Sequence, residues 1–442
     1  MLPPVVVASL ILVLITMATA TMDPPATPAQ KAVFCHYLPW YTLKATATDS
    51  QARHGWCGVG TAIPAAQCIN TSHTQYMGMG PFIGEYSQRE TNVLEYHLLL
   101  AQAASLDAFI VNINPSNALQ VELTKALFVA TSALQQQSNS STSFNLQLIL
   151  SYDNSAATTA ELVEQDFKTL LEIVHLDQSF PTSILFQTRE GSTVFQHWSE
   201  NLPSQVYQLA KQTFGNHSIV VVRNPRSFQD SDSNFEWPLP LSNATVAQLQ
   251  TYWGEQALKD FEWGMANNQV ADQIPPSKQN LFSVGCVYPG FDDGKVPVEW
   301  NGGVRRQILR YIDGASGQSS TSTYTLTWEH ALSYVPERYG GGGTSVTMPW
   351  LQIVTWNDFP EGTTIEPNKG EDGLTAYLAT LNFTRQWHGK TPVPSSNAVA
   401  VVPAAAAILN ARRTMDTKAE VAVRLFLKGD YEQVLKLFDG GW

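Results

Sequence analysis

An α/β fold, built as a (β/α)8 TIM-type barrel, is what three features of the chain predict. Short apolar runs recur along most of its length, segments with apolar residues at helical spacing separate them, and polar, aromatic or acidic residues follow directly on several runs. A repeated strand and helix gives a parallel sheet. Eight units favour a closed barrel, although six or seven would fit an open doubly wound sheet.

The expected strands are Ala32 to Leu38 (AVFCHYL), Ala108 to Ile113, Leu146 to Ser151, Ser183 to Gln187, Ser218 to Arg223, Leu281 to Val287, Thr323 to Trp328 and Trp350 to Thr355. Each is short and bounded by turn formers or by amphipathic sequence. Helices are expected over Glu90 to Ser105, Val121 to Leu134, Ala160 to Ile173, Ser204 to Thr213, Val246 to Met265, Val304 to Ile312 and Trp328 to Val335. Ser87 and Glu90 have the spacing of a capping box, which accounts for both without any chemistry. Three stretches read as surface insertions: Thr42 to Phe82, Gln135 to Ser143 (QQQSNSSTS), and the loop holding Gly340 to Gly343. The barrel is expected over residues 31–390. A linker with the composition GKTPVPSSN and a helical segment, with a helix from about Ala419 to Leu437, follow over 391–442.

Val5 to Ala20 is one uncharged apolar run ending in small residues, so residues 1–21 are expected to be a cleaved secretory signal. Its start lacks Lys or Arg, which leaves an uncleaved signal anchor open. No second segment approaches membrane length, so the mature chain is expected in the secretory lumen or outside the cell, with no stable membrane span. Sequons at Asn70, Asn139, Asn216, Asn243 and Asn382 agree with glycosylation there. Of four cysteines, Cys57 and Cys68 flank a Gly/Pro-bearing loop and are the expected disulfide, while Cys35 and Cys286 either pair or are simply buried. No CxxC or HExxH occurs, so neither a metal nor another cofactor is expected. Lys and Arg total 26 against 38 Asp and Glu, with no basic run, which argues against a nucleic-acid partner. Such a balance suits a neutral polymer, a small molecule or a protein equally well.

Functional side chains of a parallel barrel project from the carboxyl ends of its strands. There the sequence offers His36, Tyr37 and Trp40, then Asn112, then Asp153, then Asp292 and Asp293, and finally Trp356, Asn357, Asp358 and Glu361. Carboxylates, amides and aromatic faces suit carbohydrate, whose hydroxyls want bidentate polar partners and whose C–H faces lie on rings. Asp358 and Glu361 stand three apart in TWNDFPEGTTIEP, Thr355 to Pro367. Glycoside hydrolysis needs two carboxyl groups beside one bond, one protonated and one ionised. Neighbouring carboxylates in a partly dry cleft raise at least one pKa, which supplies the acid. Trp356 would exclude water and Asn357 would bond a substrate hydroxyl. A plain turn, with Asp358 as a cap, fits the same spacing.

Asp153, Tyr37, Trp40 and Asn112 are further candidates for substrate binding, and Asp292 joins them. The rival roles are a structural hydrogen bond for Asp153, packing beneath a loop for the aromatic residues, and an Asx turn for Asp292. No G-x-G-x-x-G, Walker or G-x-S-x-G pattern occurs, so nucleotide binding and serine hydrolysis lack support.

The WND followed by Glu resembles the signature of glycoside hydrolase family 71, the α-1,3-glucanases, and EGT-x-IEP resembles the matching stretch of family 99, the endo-α-mannosidases. LDAFIVNI (Leu106 to Ile113) and LILSYD (Leu148 to Asp153) are similar to the second and third strands of family 71. GEYSQRETNVLEYH (Gly84 to His97) is similar to the segment before the first helix in family 99. The resemblance implies a barrel, an endo-acting α-glycosidase on a polysaccharide or glycan, and Asp358 and Glu361 as its catalytic carboxylates. Where family 99 has Glu, this chain has the shorter Asp358. That favours a water-using inverting route, with Glu361 as acid and Asp358 as base, because inversion needs more room between the carboxyls. The leading expectation is α-1,3-glucan cleavage, with endo-α-mannosidase action and non-catalytic carbohydrate binding as alternatives.

Overall fold

The computed structural model describes residues 31–42, 80–138, 143–198 except 156, 201–223, 282–294, 303–312, 321–333, 347–369 and 374–438, with shorter pieces between 231 and 248. The expected signal segment, the expected Cys57–Cys68 disulfide, Asn70, Asn139, Gly340 to Gly343 and all of the expected 246–265 helix except Gln248 lie outside them, as does most of the first expected insertion.

Three expected strands appear as β1 (Ala32–Tyr37), β2 (Ala108–Ile113) and β3 (Gln147–Tyr152), joined by α1 (Thr91–Ala103) and α2 (Ala118–Gln137). α3 (Ala160–Gln178), β4 (Val194–His197), α4 (Pro203–Phe214) and β5 (Ile219–Arg223) continue the alternation. β6 (Ser233–Phe235), β7 (Leu241–Ser242), β8 (Phe282–Val287), β9 (Phe291–Asp292), β10 (Arg306–Ile308), β11 (Tyr311–Ile312) and β12 (Thr321–Ser322) follow. The chain then forms α5 (Thr323–Ser333), β13 (Thr347–Ile353), α6 (Thr375–Trp387), α7 (Ser395–Arg413), α8 (Ala419–Leu427) and α9 (Tyr431–Phe438).

Parallel pairings run β1 to β2, β3, β4, β5, β6, β8 and β13, and β13 pairs back onto β1. Seven of these strands are four residues or longer and curl as one parallel sheet, whereas β6 has three residues and follows β5 after residues 224–232 only. The fold is α/β and TIM-like. The strict eightfold strand and helix repeat that the sequence predicts is not what the described residues show, because no described helix separates β5 from β6.

Alternation along each strand sorts side chains into two layers. Phe34, Ile110, Ile149, Val221, Val284 and Trp350 cluster inside the ring. Their neighbours Val33, Cys35, Tyr37, Phe109 and Val111 pack outward with Leu98 and Leu127 of the surrounding helices. Cys35 and Cys286 are both buried and form no disulfide, which settles the open alternative against pairing.

Three local expectations change. Thr323 to Trp328 alternates like a strand yet forms α5, because Tyr324, Thr327, Trp328 and Ala331 are buried at helical spacing. Ser183 to Gln187 makes only isolated bridges, through Leu185 and Gln187, and VFQH supplies the fourth strand. Val304 to Ile312 holds β10 and β11 in place of a helix. The Ser87–Glu90 capping box is also absent: Glu90 is the N-cap of α1 without a side-chain cap bond, and it pairs with Arg413 at 2.9 Å. The Ala-rich stretch after Pro394 is α7. Arg412 near its end grips Glu95 of α1 through two bonds of 2.9 Å, so the C-terminal helices pack on the first helix of the sheet.

Candidate active site

The loop after β13 is tied to the barrel and to itself. Trp356 N–H donates to His36 O (2.6 Å), Thr355 N–H to Thr363 O (2.9 Å) and Ile365 N–H to Thr355 O (2.9 Å). Within that frame Asp358 N–H donates to Thr355 Oγ1 (2.9 Å), and Glu361 N–H donates to Asp358 Oδ1 (3.1 Å). The opposite side is clamped by the excursion after β8. Asp292 N–H donates to Glu361 O (2.8 Å) and Arg310 Nη1 donates to Gly362 O (2.7 Å). Gly362 sits at φ +65°, the left-handed region in which glycine is least strained, and turns the chain back.

This frame holds two carboxyl groups in a water-poor setting. Asp358 is 4% exposed. Burial pushes its pKa up to about 7, opposed by the bond from the Glu361 amide. Glu361 is pushed well above the usual carboxylate range, first by burial and then by the Asp358 charge. Asp293 adds to the rise, while Arg306 and Arg223 oppose it. Two such groups do not both ionise near neutrality. The anion favours Asp358, whose Oδ1 already accepts an amide proton, and the proton stays on Glu361.

Beneath them the inward residues near the carboxyl ends of the strands form a polar layer. Gln352 of β13 accepts at Oε1 from His36 Nε2 (3.0 Å) and from Gln196 Nε2 (3.1 Å), bridging β1, β4 and β13 across the barrel. Burial lowers the His36 pKa to about 3, so the ring is neutral. Gln352 Oε1 can only accept, which places the His36 proton on Nε2. Trp198 and Trp237 meet edge to face at 4.1 Å, His36 lies 4.9 Å from Trp237, and the Arg223 guanidinium stacks 4.6 Å over Trp198.

The expected site residues divide. Asp358 and Glu361 come together. Asn112 lies on the inward register of β2, with Oδ1 buried and without a hydrogen-bond partner. Asp153 continues the inward register of β3 and its Oδ1 accepts from Ser155 N–H (3.0 Å). Four others are corrected. Tyr37 faces the helices, fully buried, its hydroxyl bonded to His97 Nδ1 (2.9 Å). Trp356 is also fully buried on that side, 5.2 Å from Phe109. Asn357 exchanges two hydrogen bonds with the Leu38 backbone (2.8 and 3.0 Å), which locks the loop to β1, and it is fully buried, out of a substrate's reach. Asp292 is engaged by Arg305, by Gly294 N–H (3.0 Å) and by Gln307, an Asx turn reinforced by an ion pair. Trp40 is half-buried and packs against the layer between strands and helices.

Among the glycosylation positions, Asn216 and Asn243 are exposed, but Asn382 is half-buried within α6, a poor setting for a glycan. The expectations missed Gln196, Gln352, Ser151, Arg223, Trp198 and Trp237. Ser151, Arg223 and Gln352 sit on the inward register of predicted strands, so strict alternation counted from Phe34 and its counterparts finds them, whereas Gln196, Trp198 and Trp237 lie in or just after strands too short to read from the sequence. Among the described residues no group of three His, Cys, Asp or Glu is arranged for a metal, and no helix is long and apolar enough to cross a membrane.

No family model and no curated protein matches the chain. Among solved structures it is similar to the glycoside hydrolase family 99 endo-α-mannosidase from Bacteroides thetaiotaomicron, at 14% identity over 81% of this chain and 97% of that one, with a TM-score of 0.50. The same enzyme in complex with bis-tris-propane matches at 13% identity over the same shares, with a TM-score of 0.49. A glycoside hydrolase-like protein matches at 11% over 83% of this chain and 97% of that one, also with a TM-score of 0.49. Identities this low establish the fold alone. The resemblance to the group of families 71 and 99, first visible around Asp358 and Glu361, extends in that sense to the architecture.

Proposed function

We propose that the chain is a glycoside hydrolase that cleaves α-glycosidic bonds within a polysaccharide or glycan, with Glu361 as general acid and Asp358 as general base. The observation that carries this is the pair itself. It is held on the loop after the last barrel strand by the Asp358–Glu361 amide bond, and burial raises both pKa values. Glu361 donates its proton to the leaving glycosidic oxygen as the bond from that oxygen to the anomeric carbon breaks. Asp358 takes a proton from the water that attacks that carbon from the other face. The shorter Asp358 favours this inverting course. Asn112 and Asp153 on the inward face are the binding residues we assign, and secretion with glycosylation at exposed sequons belongs to the same proposal.

An α-1,3-glucan is the substrate that the WND motif favours, and the architecture shared with an endo-α-mannosidase favours an α-mannoside as the second choice. Release of reducing ends from both polymers, measured beside Asp358→Asn and Glu361→Gln, tests the proposal. Turnover lost in both variants with the fold intact supports it, and the better polymer selects the substrate. Glycan binding without turnover in any form would leave a carbohydrate-binding barrel instead.

A further inference from the structure

We propose that Asn112, Ser151 and Gln196 form the floor of a subsite that receives the hydroxyl groups of one neutral sugar ring. This rests on the glycoside hydrolase function proposed above. The three residues are cross-strand neighbours. Asn112 of β2 pairs in register with Ser151 of β3, and Ser151 with Gln196 of β4. All three follow the inward register set by Ile110, Ile149 and Val194, so they form a row on the barrel's inner wall. Adjacent strands lie about 4.8 Å apart, so the row spans roughly 10 Å across three strands.

Each member carries an unsatisfied atom. Asn112 Oδ1, Ser151 Oγ and Gln196 Oε1 are buried without a hydrogen-bond partner. Ser151 is fully buried and Gln196 is 2% exposed. Native interiors seldom leave such groups unpaired, and three in one row point to an absent common partner. Gln196 is anchored by its Nε2 to Gln352 Oε1 (3.1 Å), which commits its other atom to the row.

The chemistry of the missing partner follows from the atoms. Two amide oxygens only accept and one hydroxyl accepts or donates, so the partner must present several O–H donors. A carboxylate or phosphate has none to give and would face two oxygens. A ring of hydroxyls on one uncharged sugar fits. The next inward residues toward the mouth are Asp153, just after β3, and Trp198, just after β4, a carboxylate and an indole beside a ring set down on the row. Ordered water is the competing occupant.

The test uses the full chain carrying Glu361→Gln, which removes turnover and leaves the row intact. Calorimetric titration with neutral α-1,3-gluco- and α-manno-oligosaccharides, and with the monodeoxy series of whichever binds, comes first because it needs no change in the row. One or two deoxy positions should lose tenfold or more in affinity. Ser151→Ala and Gln196→Met should each weaken the parent sugar by a similar factor, and the sensitive deoxy sugar should lose nothing further on the variant facing the missing hydroxyl. Equal affinity across the deoxy series and the row variants, with a lowered melting temperature in the variants, would assign the row to water and overturn the subsite while leaving the hydrolase proposal standing. Failure of the Glu361→Gln protein to bind any of these sugars would overturn both.

Discussion

Glu361 and Glu366 stand five residues apart on one loop, and the barrel wall gives them opposite surroundings. Glu366 is fully buried on the helix side, where Tyr86 donates a hydrogen bond to its Oε2 (2.7 Å) and His97 Nε2 lies 3.3 Å from its Oε1. Glu361 is half-buried, and there burial with the Asp358 and Asp293 charges outweighs Arg306 and Arg223 and holds its proton. One glutamate is surrounded by groups that complement it and the other by a group that opposes its ionisation. The first arrangement serves stability, and the second, on the function proposed above, stores a proton for the leaving group. Pairs of titratable groups whose environments push them apart mark acid and base roles, and one loop here carries both kinds of site.

The largest expected effect separates the two glutamates by activity. Glu361→Gln should lower kcat by about 10²- to 10⁴-fold, the usual contribution of a positioned acid or base, without lowering the melting temperature. Glu366→Ala should do the reverse. Leaving the Tyr86 hydroxyl and His97 without their buried partner costs about 1–3 kcal/mol of stability, read by denaturant titration, with kcat on the folded fraction near that of the parent. If Glu366→Ala abolished turnover at full stability, the contrast between the two sides would be wrong.

A smaller effect concerns pH. Asp358 has a folded pKa raised from the ordinary carboxylate value to about 7, so the native state binds the proton more tightly than the unfolded chain does. Its contribution is fully present below the unfolded pKa and is lost as pH rises toward 7. Urea midpoints between pH 4 and pH 7 should fall with rising pH, and Asp358→Asn should flatten part of that slope. A slope unchanged by Asp358→Asn would mean that the carboxyl is hydrated and not held as the loop geometry implies.

The same division explains what was legible in the sequence. β2 matches its predicted bounds, and the carboxylate loop is a local pattern of residue types, which a one-dimensional reading captures well. The face a residue occupies is harder. Tyr37, Trp356 and Asn357 follow or end apolar strands as cleft residues do, yet one step of the two-residue period turns each toward the helices or the backbone. Alternation also misled at Thr323 to Trp328, because a buried helix face made of Tyr324, Thr327 and Trp328 can imitate a strand over six residues. β4 and β6 were missed because strands of four and three residues leave little pattern to read.

Tyr37 and His36 give the finest test of that division, since consecutive residues of β1 face opposite layers. Tyr37→Phe removes only the hydroxyl bonded to His97 Nδ1, so it should cost about 0.5–1.5 kcal/mol and leave kcat and KM unchanged. His36→Leu removes the donor to Gln352, which also holds Gln196, and so disturbs the polar layer under the carboxylates. Its mark should be a raised KM, because a displaced Gln352 no longer fixes Gln196 in the floor proposed for the substrate. Equal kinetic effects from both substitutions would mean that the layers are coupled through β1 and that the helix side helps to shape the cleft.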